Sequence, residues 1–348
     1  MQYSKVFVET FAYELPAMVV TTRELEESLR PVYEKLRIPL GQLETLTGIK
    51  ERRWWPRNFS VSTGAALAAQ KALSRSGMAA TDLDVLIYAG VCRDYFEPAT
   101  ACRVGAELGI KEGAAVFDVS NACLGVLNGM IDIANRIELG QIRAGMVASC
   151  ESAREVNEDM IHSLRENPDM EFFKSSLATL TGGSGAAAVI LSDGSFSPET
   201  PRHRLVGGVN HSAVQHNDLC RWGIKKIQNT MFEQFMITDA VNVLKYGLTL
   251  GVKTWTLLLQ ELGWGKDIVD KVISHQVGKS HRASILKSLN LPDHMDYKTF
   301  EYLGNIGTVS LPLSAGMAGE RGFLQRGDQV GLLGIGSGLN CLMMGLEW

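Results

Sequence analysis

Residues 118–125 read Asp-Val-Ser-Asn-Ala-Cys-Leu-Gly and offer a thiol, Cys123, where an apolar run ends and a helical pattern begins. A strand-to-helix turn exposes a side chain at the edge of a sheet, as nucleophile elbows do. The unpaired N–H groups and dipole of a helix start favour a thiolate there. Most cysteines are buried and inert. That is the reading for Cys92, Cys102, Cys150, Cys220 and Cys341, which lack this setting. The chain has no CxxC pair, which disfavours a zinc ribbon or dithiol motif.

A thiolate nucleophile usually works with an imidazole. His275 is the best placed of seven histidines, at the end of a predicted strand over 271–274. His281 falls at a predicted helix start and reads as a cap or surface residue. The spacing of the two does not suit one helix face, so no metal site is read. Asn305 lies between glycines in Leu303-Gly304-Asn305-Ile306-Gly307 and, alone, reads as a turn. Gly334-Ile335-Gly336-Ser337-Gly338 resembles a phosphate loop, but a strand follows at 342–346 instead of a helix. That argues against a dinucleotide site.

The elements that must position these residues alternate in type. Strands are predicted over 85–89, 114–119, 144–149, 186–191, 205–209 and 271–274. Helices are predicted over 62–76, 124–139, 238–262 and 281–289, with a closing hairpin of 329–333 and 342–346. This rhythm predicts an α/β sheet covered by helices. The 348 residues are too many for one ordinary domain, so two domains or fused halves are expected. A weak echo between 82–88 and 267–273 supports halves at 1–195 and 196–348, joined near the Gly/Ser/Asp/Pro cluster of 192–201. The charge-rich stretch 152–176 reads as a solvated excursion with some helix, long enough for part of a lid or tunnel wall.

Lys+Arg 34 against Asp+Glu 38 gives a net charge of −4, so no global positive field recruits nucleic acid. No apolar run reaches the length of a transmembrane helix. Scattered cysteines and the absence of a secretory leader predict a cytoplasmic protein with reduced thiols. Glycine is in excess, 35 residues against 10 prolines, and much of the excess flanks Cys123, Asn305 and Ser337.

In order and spacing, the Cys123 segment, Ser-His-Gln at His275, Gly-Asn-Ile-Gly at Asn305 and Gly-Ile-Gly-Ser-Gly near the end resemble ketosynthase III enzymes of the thiolase superfamily. The likeness runs from Gly48-Ile49-Lys50-Glu51-Arg52 to the C-terminus. It implies a five-layer αβαβα fold with two related halves, each with a mixed sheet, and a homodimer. It implies acylation of Cys123 by an acyl-CoA or acyl-carrier-protein thioester. His275 and Asn305 would hold the enolate of a second thioester, whose attack gives a β-ketoacyl product. The backbone N–H groups of Cys123 and Ser337 would form the oxyanion hole. No cofactor is implied.

In malonyl-using members the position of Glu97 is commonly apolar and reaches across the dimer into the partner's acyl tunnel. The carboxylate here resembles the subgroup that joins two acyl chains head to head, as in long-chain olefin biosynthesis. Without CO₂ loss, a base must take the α-proton, and a carboxylate in an apolar tunnel suits that task. Read by itself, Glu97 is equally a surface carboxylate in an Arg-Asp-Glu loop. Head-to-head condensation is favoured; the alternatives are decarboxylative condensation with malonyl-acyl-carrier protein, a thioester hydrolase and an inert partner subunit. Gln42 and Leu46 stand where fatty-acid-initiating members carry Trp and Arg for coenzyme A; Lys50 replaces the first Arg, Trp54-Trp55 follow, and Leu303 replaces a common His.

Overall fold

The computed structural model describes residues 1–196, 203–228, 231–265 and 267–348. The expected junction over 192–201 thus falls partly outside the described residues. The chain opens with β1 (Phe7–Glu14), β2 (Met18–Thr21), α1 (Thr22–Ser28), α2 (Arg30–Leu36), α3 (Gln42–Thr47) and β3 (Glu51–Trp54). Then come α4 (Val61–Ser76), β4 (Val85–Ala89), α5 (Thr100–Leu108), β5 (Ala115–Val119), α6 (Gly125–Glu138) and β6 (Ala144–Glu151). Helices α7 (Arg154–Glu166) and α8 (Met170–Ser176) precede β7 (Gly185–Ser192), β8 (His203–Ser212), β9 (Cys220–Gln228) and β10 (Met231–Thr238). The remainder is α9 (Ala240–Leu262), β11 (Lys271–Ser274), α10 (Lys279–Leu289), α11 (Phe300–Leu303), α12 (Ser310–Glu320), β12 (Gln329–Gly336) and β13 (Asn340–Glu347).

Nine strands form one mixed sheet in the order β11-β12-β13-β8-β1-β7-β6-β4-β5. The family resemblance implied a mixed sheet for each half. Instead, a short pairing of Phe7 and Val8 with Arg204 and His203 joins the two strand sets through hydrogen bonds. The layering is the expected five. The central layer is α6 and α12, whose Leu127, Met130, Ile133, Leu311 and Ala315 pack in one core with strand residues of both sets, among them Val85, Val147, Leu332 and Met344. Outside one set lies α4, rich in alanine; Ala65, Ala68, Ala69 and Ala72 are buried against Ala148, Ala186 and Ala188. Small side chains on both surfaces let helix and sheet approach closely. Outside the other set α9 and α10 bury Trp255, Leu258 and Ile285 against Val272 and Met343.

Residues 152–176 are not a solvated excursion. Helices α7 and α8 bury Met160, Leu164 and Phe173 against Leu29, Val32, Tyr33 and Leu43 of α1–α3. Their charges mark only the outer faces of amphipathic helices.

Close backbone approach fixes one glycine near the site. A Cβ on Gly183 would sit 2.0 Å from the Leu303 carbonyl oxygen, and the Gly183 N–H donates to the Asn305 carbonyl at 2.9 Å. Gly183→Ala is therefore expected to cost about 1–3 kcal/mol of stability. Thermal unfolding checks this; an unchanged midpoint would show that the Leu303–Asn305 segment can yield.

Candidate active site

Strand β5 ends at Val119, and the chain turns through Asn121-Ala122-Cys123 before α6 begins at Gly125. Ala122 takes a left-handed φ of 45°, a conformation uncommon for a residue with a side chain and one that clusters at functional turns. The Leu124 N–H donates to the Asn121 carbonyl at 2.9 Å, closing the turn.

The other motifs meet this turn. A Cβ built on Gly336 would lie 3.3 Å from the Cys123 amide nitrogen, so the loop after β12 passes directly over the nucleophile's backbone. A side chain at Gly334 would strike Leu124 and Leu127 of the same turn and helix, at 2.7 and 2.6 Å. His275 follows β11, and its N–H donates to the Leu333 carbonyl at 3.0 Å. Parallel pairing of Ser274 with Leu333 thus sets the imidazole beside the same glycine loop. The Asn305 segment reaches α6 through Thr308, whose Oγ1 accepts the Val126 N–H at 2.8 Å.

Asn305 is oriented by its surroundings. Its N–H donates to the Thr181 carbonyl and its carbonyl accepts from Gly183, both at 2.9 Å. Its Oδ1 accepts the Gly307 N–H at 3.0 Å. With Oδ1 engaged, Nδ2 is left as the donor, the end of an amide that can hold an oxyanion without adding charge.

Electrostatics corrects the expected resting thiolate. Helix α6 starts two residues beyond Cys123, and burial, then the Cys220 thiol and Glu151, push the Cys123 thiol up to about 12. Burial, with the charge of His281 second, holds His275 down at about 3. The pair rests as neutral thiol and neutral imidazole, and His275 can donate one N–H while its other nitrogen accepts. Alkylation of Cys123 by iodoacetamide, followed by peptide mass, is expected to rise about tenfold per pH unit between about pH 7 and 10. Deprotonation exposes the nucleophile, so the rate climbs with pH; a plateau near pH 8 would contradict a half-buried thiol held neutral by desolvation.

Glu97 stands apart from these residues. It is exposed in the loop between β4 and α5, beside Phe96, which is 88% exposed. The loop is firmly rooted. Glu151 accepts the N–H groups of Val91 and Cys92 at 2.9 and 3.1 Å. Asp94 caps the start of α4 by accepting the Val61 N–H at 2.9 Å, and Asp118 accepts the Thr100 and Ala101 N–H groups at 2.9 Å. Only the tip around Phe96 and Glu97 projects.

Sequence reasoning did not single out Glu151. Glu151 ends the fully buried β6, and burial raises its pKa; a carboxylate closing an apolar strand was the available signal. Cys220 opens β9, which pairs antiparallel with β10. His281 is no surface cap: it shares a small cavity with His275, Arg282 and Cys341, and burial lowers its pKa to about 4. Trp54 and Trp55 are buried, with Trp55 stacked on Phe59, so neither offers a free face to an adenine.

Along its whole length the chain is 53% identical to an acyl-CoA:acyl-CoA alkyltransferase of Shewanella oneidensis, covering 100% of both chains. A second protein so named, from Xanthomonas campestris, is 36% identical, again over 100% of each. The chain belongs to the acyl-CoA:acyl-CoA alkyltransferase family, a thiolase-like branch of the ketosynthase III enzymes. It is an acyltransferase by that membership. Residues 259–348 also match the family described as 3-oxoacyl-[acyl-carrier-protein (ACP)] synthase III C terminal. A β-ketoacyl-[acyl-carrier-protein] synthase III of Bacillus cereus is more distant, 27% identical over 96% of each chain. The crystal structure of a Cys→Ala variant of Xanthomonas campestris OleA superposes with a TM-score of 0.93, at 35% identity, covering 100% of this chain and 98% of that one. Another OleA structure, of a Cys→Ser variant, holds lauric acid and lauroyl-CoA, with a TM-score of 0.92, 34% identity and coverage of 99% and 100%. No helix among the described residues is long and apolar enough to cross a membrane.

Proposed function

We propose that the protein joins two fatty acyl-CoA molecules head to head without decarboxylation. The observation that carries this is the end-to-end likeness, at 53% identity, to an acyl-CoA:acyl-CoA alkyltransferase. The OleA structures add support: they include variants at a glutamate and a cysteine with the separation of Glu97 and Cys123, and at a histidine.

In the first half-reaction the Cys123 sulfur attacks the acyl-CoA carbonyl. The C–S bond to coenzyme A breaks, and the thiol proton leaves with the coenzyme A thiol. Because Cys123 starts neutral, its proton must leave as the bond forms, and neutral His275 is the acceptor at hand. The backbone N–H groups of Cys123 and Ser337 hold the tetrahedral oxyanion, and donors of this kind contribute about 3–4 kcal/mol each elsewhere. In the second half-reaction Glu97 removes an α-proton from a second acyl-CoA. His275 and Asn305 donate to the enolate oxygen. The α-carbon attacks the acyl carbonyl, the bond to Cys123 breaks, and the thiolate takes up the proton that Glu97 removed. Two acyl-CoA molecules give one β-ketoacyl-CoA and one free coenzyme A.

Glu97 acts from a partner. Its exposed tip suits insertion into the site of a second copy, so the working form is a homodimer. We place the protein in the cytoplasm, with halves at 1–195 and 196–348 each contributing to the site. Decarboxylative condensation with malonyl-acyl-carrier protein is the second reading, favoured by the match of residues 259–348. Turnover with lauroyl-CoA alone decides between them. A β-keto product without CO₂ supports head-to-head condensation; product only with malonyl thioester, with CO₂ released, overturns it.

A further inference from the structure

The two backbone donors proposed for the oxyanion hole come from opposite ends of the sequence. Cys123 sits on the turn before α6, and Ser337 on the loop between β12 and β13. Their alignment depends on what ties turn to loop. A row of side-chain amides does so. Asn340 Nδ2 donates to Asn121 Oδ1 at 3.2 Å, and also reaches the Ser337 carbonyl at 3.4 Å. Asn121 Nδ2 donates in turn to Asn128 Oδ1 at 2.8 Å, on the second turn of α6. The row thus runs from the Ser337 peptide, across the two loops, to the helix behind Cys123.

The backbone makes room for it. A Cβ on Gly338 would lie 2.3 Å from Asn340 Nδ2, so only glycine lets this amide lie across the loop. All three asparagines are partly buried, where an amide left unpaired costs more than at the surface. Asn121 opens the nucleophile turn and Asn340 is the first residue after the glycine loop, so a shift of either moves a proposed donor directly.

We infer that Asn121 and Asn340 are positioning residues of the reaction, a cross-chain amide clamp that sets Cys123 N–H and Ser337 N–H in register for the oxyanion. The inference rests on the acyl-transfer reading above. An aligned donor pair matters to attack on a carbonyl and not to displacement at an alkyl halide, which builds no oxyanion. That difference supplies the test.

Single-turnover acylation of Cys123 by lauroyl-CoA, read by intact mass, is compared with alkylation by iodoacetamide at one pH. The variants are Asn340→Ala, Asn121→Ala and the double variant. Each single variant is expected to slow acylation about 10- to 100-fold, while alkylation stays within about twofold of wild type. The double variant is expected to lose clearly less than the product of the two single losses, because the two share the bond that joins turn to loop. Unchanged acylation overturns the inference. So do parallel losses in both reactions, additive losses in the double variant, or failure of both single variants to fold. If wild type takes no acyl group from lauroyl-CoA, the acyl-transfer reading itself fails and the inference goes with it.

Discussion

Cys123→Ala is expected to abolish covalent capture of the acyl group and to lower turnover by at least about ten-thousand-fold. The glycine loop packs on the backbone of the Cys123 turn, and the Asn305 segment is tied to the helix that follows it. Gly336 passes within contact distance of the Cys123 amide, and Thr308 pins that helix. Alanine removes the sulfur and nothing that packs the turn, so unfolding should be little changed. Intact mass after incubation with lauroyl-CoA and product yield are the measurements. Full condensation activity in this variant would rule out Cys123 as the nucleophile.

The second large effect separates the half-reactions. Glu97→Gln is expected to leave acylation of Cys123 intact while product formation falls about 100- to 10,000-fold, the range for losing a general base. The acyl-enzyme should then accumulate. The geometry explains the separation: Glu97 is exposed at a loop tip, whereas the loop is held at its roots by Glu151, Asp94 and Asp118. A neutral amide at the tip disturbs none of those anchors. Equal loss of acylation and condensation would instead make Glu97 a structural residue, and an unchanged product yield would leave the α-proton to another base.

The alternation of buried runs and helices made an α/β sheet covered by helices legible, while the five layers were implied by the family resemblance alone; α4, β4, α6 and β11 fall within a residue or two of the predicted limits. Local signals could not give β1, because its place between β7 and β8 is set by pairing across the chain. They also misjudged residues 152–176, since the apolar faces of α7 and α8 are interrupted by charges that point outward. The four motifs were legible as residues, and the fold packs the Gly336 loop on the Cys123 turn, seats His275 beside Leu333 of the strand leading to that loop, and ties the Asn305 segment to α6. Their protonation was not. A helix start suggested a thiolate, but burial outweighs a helix dipole acting from two residues away and holds Cys123 neutral. Nor was the amide row, because Asn121 and Asn340 are far apart in sequence and meet only when the two strand sets close over α6.

In head-to-head condensation the acyl group on Cys123 becomes one half of the product and a second acyl-CoA supplies the other. A pulse-chase tests it most directly. The enzyme is loaded with lauroyl-CoA, freed of excess, and chased with an acyl-CoA of different chain length. The expected product is a crossed β-ketoacyl-CoA whose keto carbon comes from the lauroyl group, formed as the acyl-enzyme disappears. Release of free lauric acid alone, or product built only from the chase substrate while the acyl-enzyme persists, would contradict it.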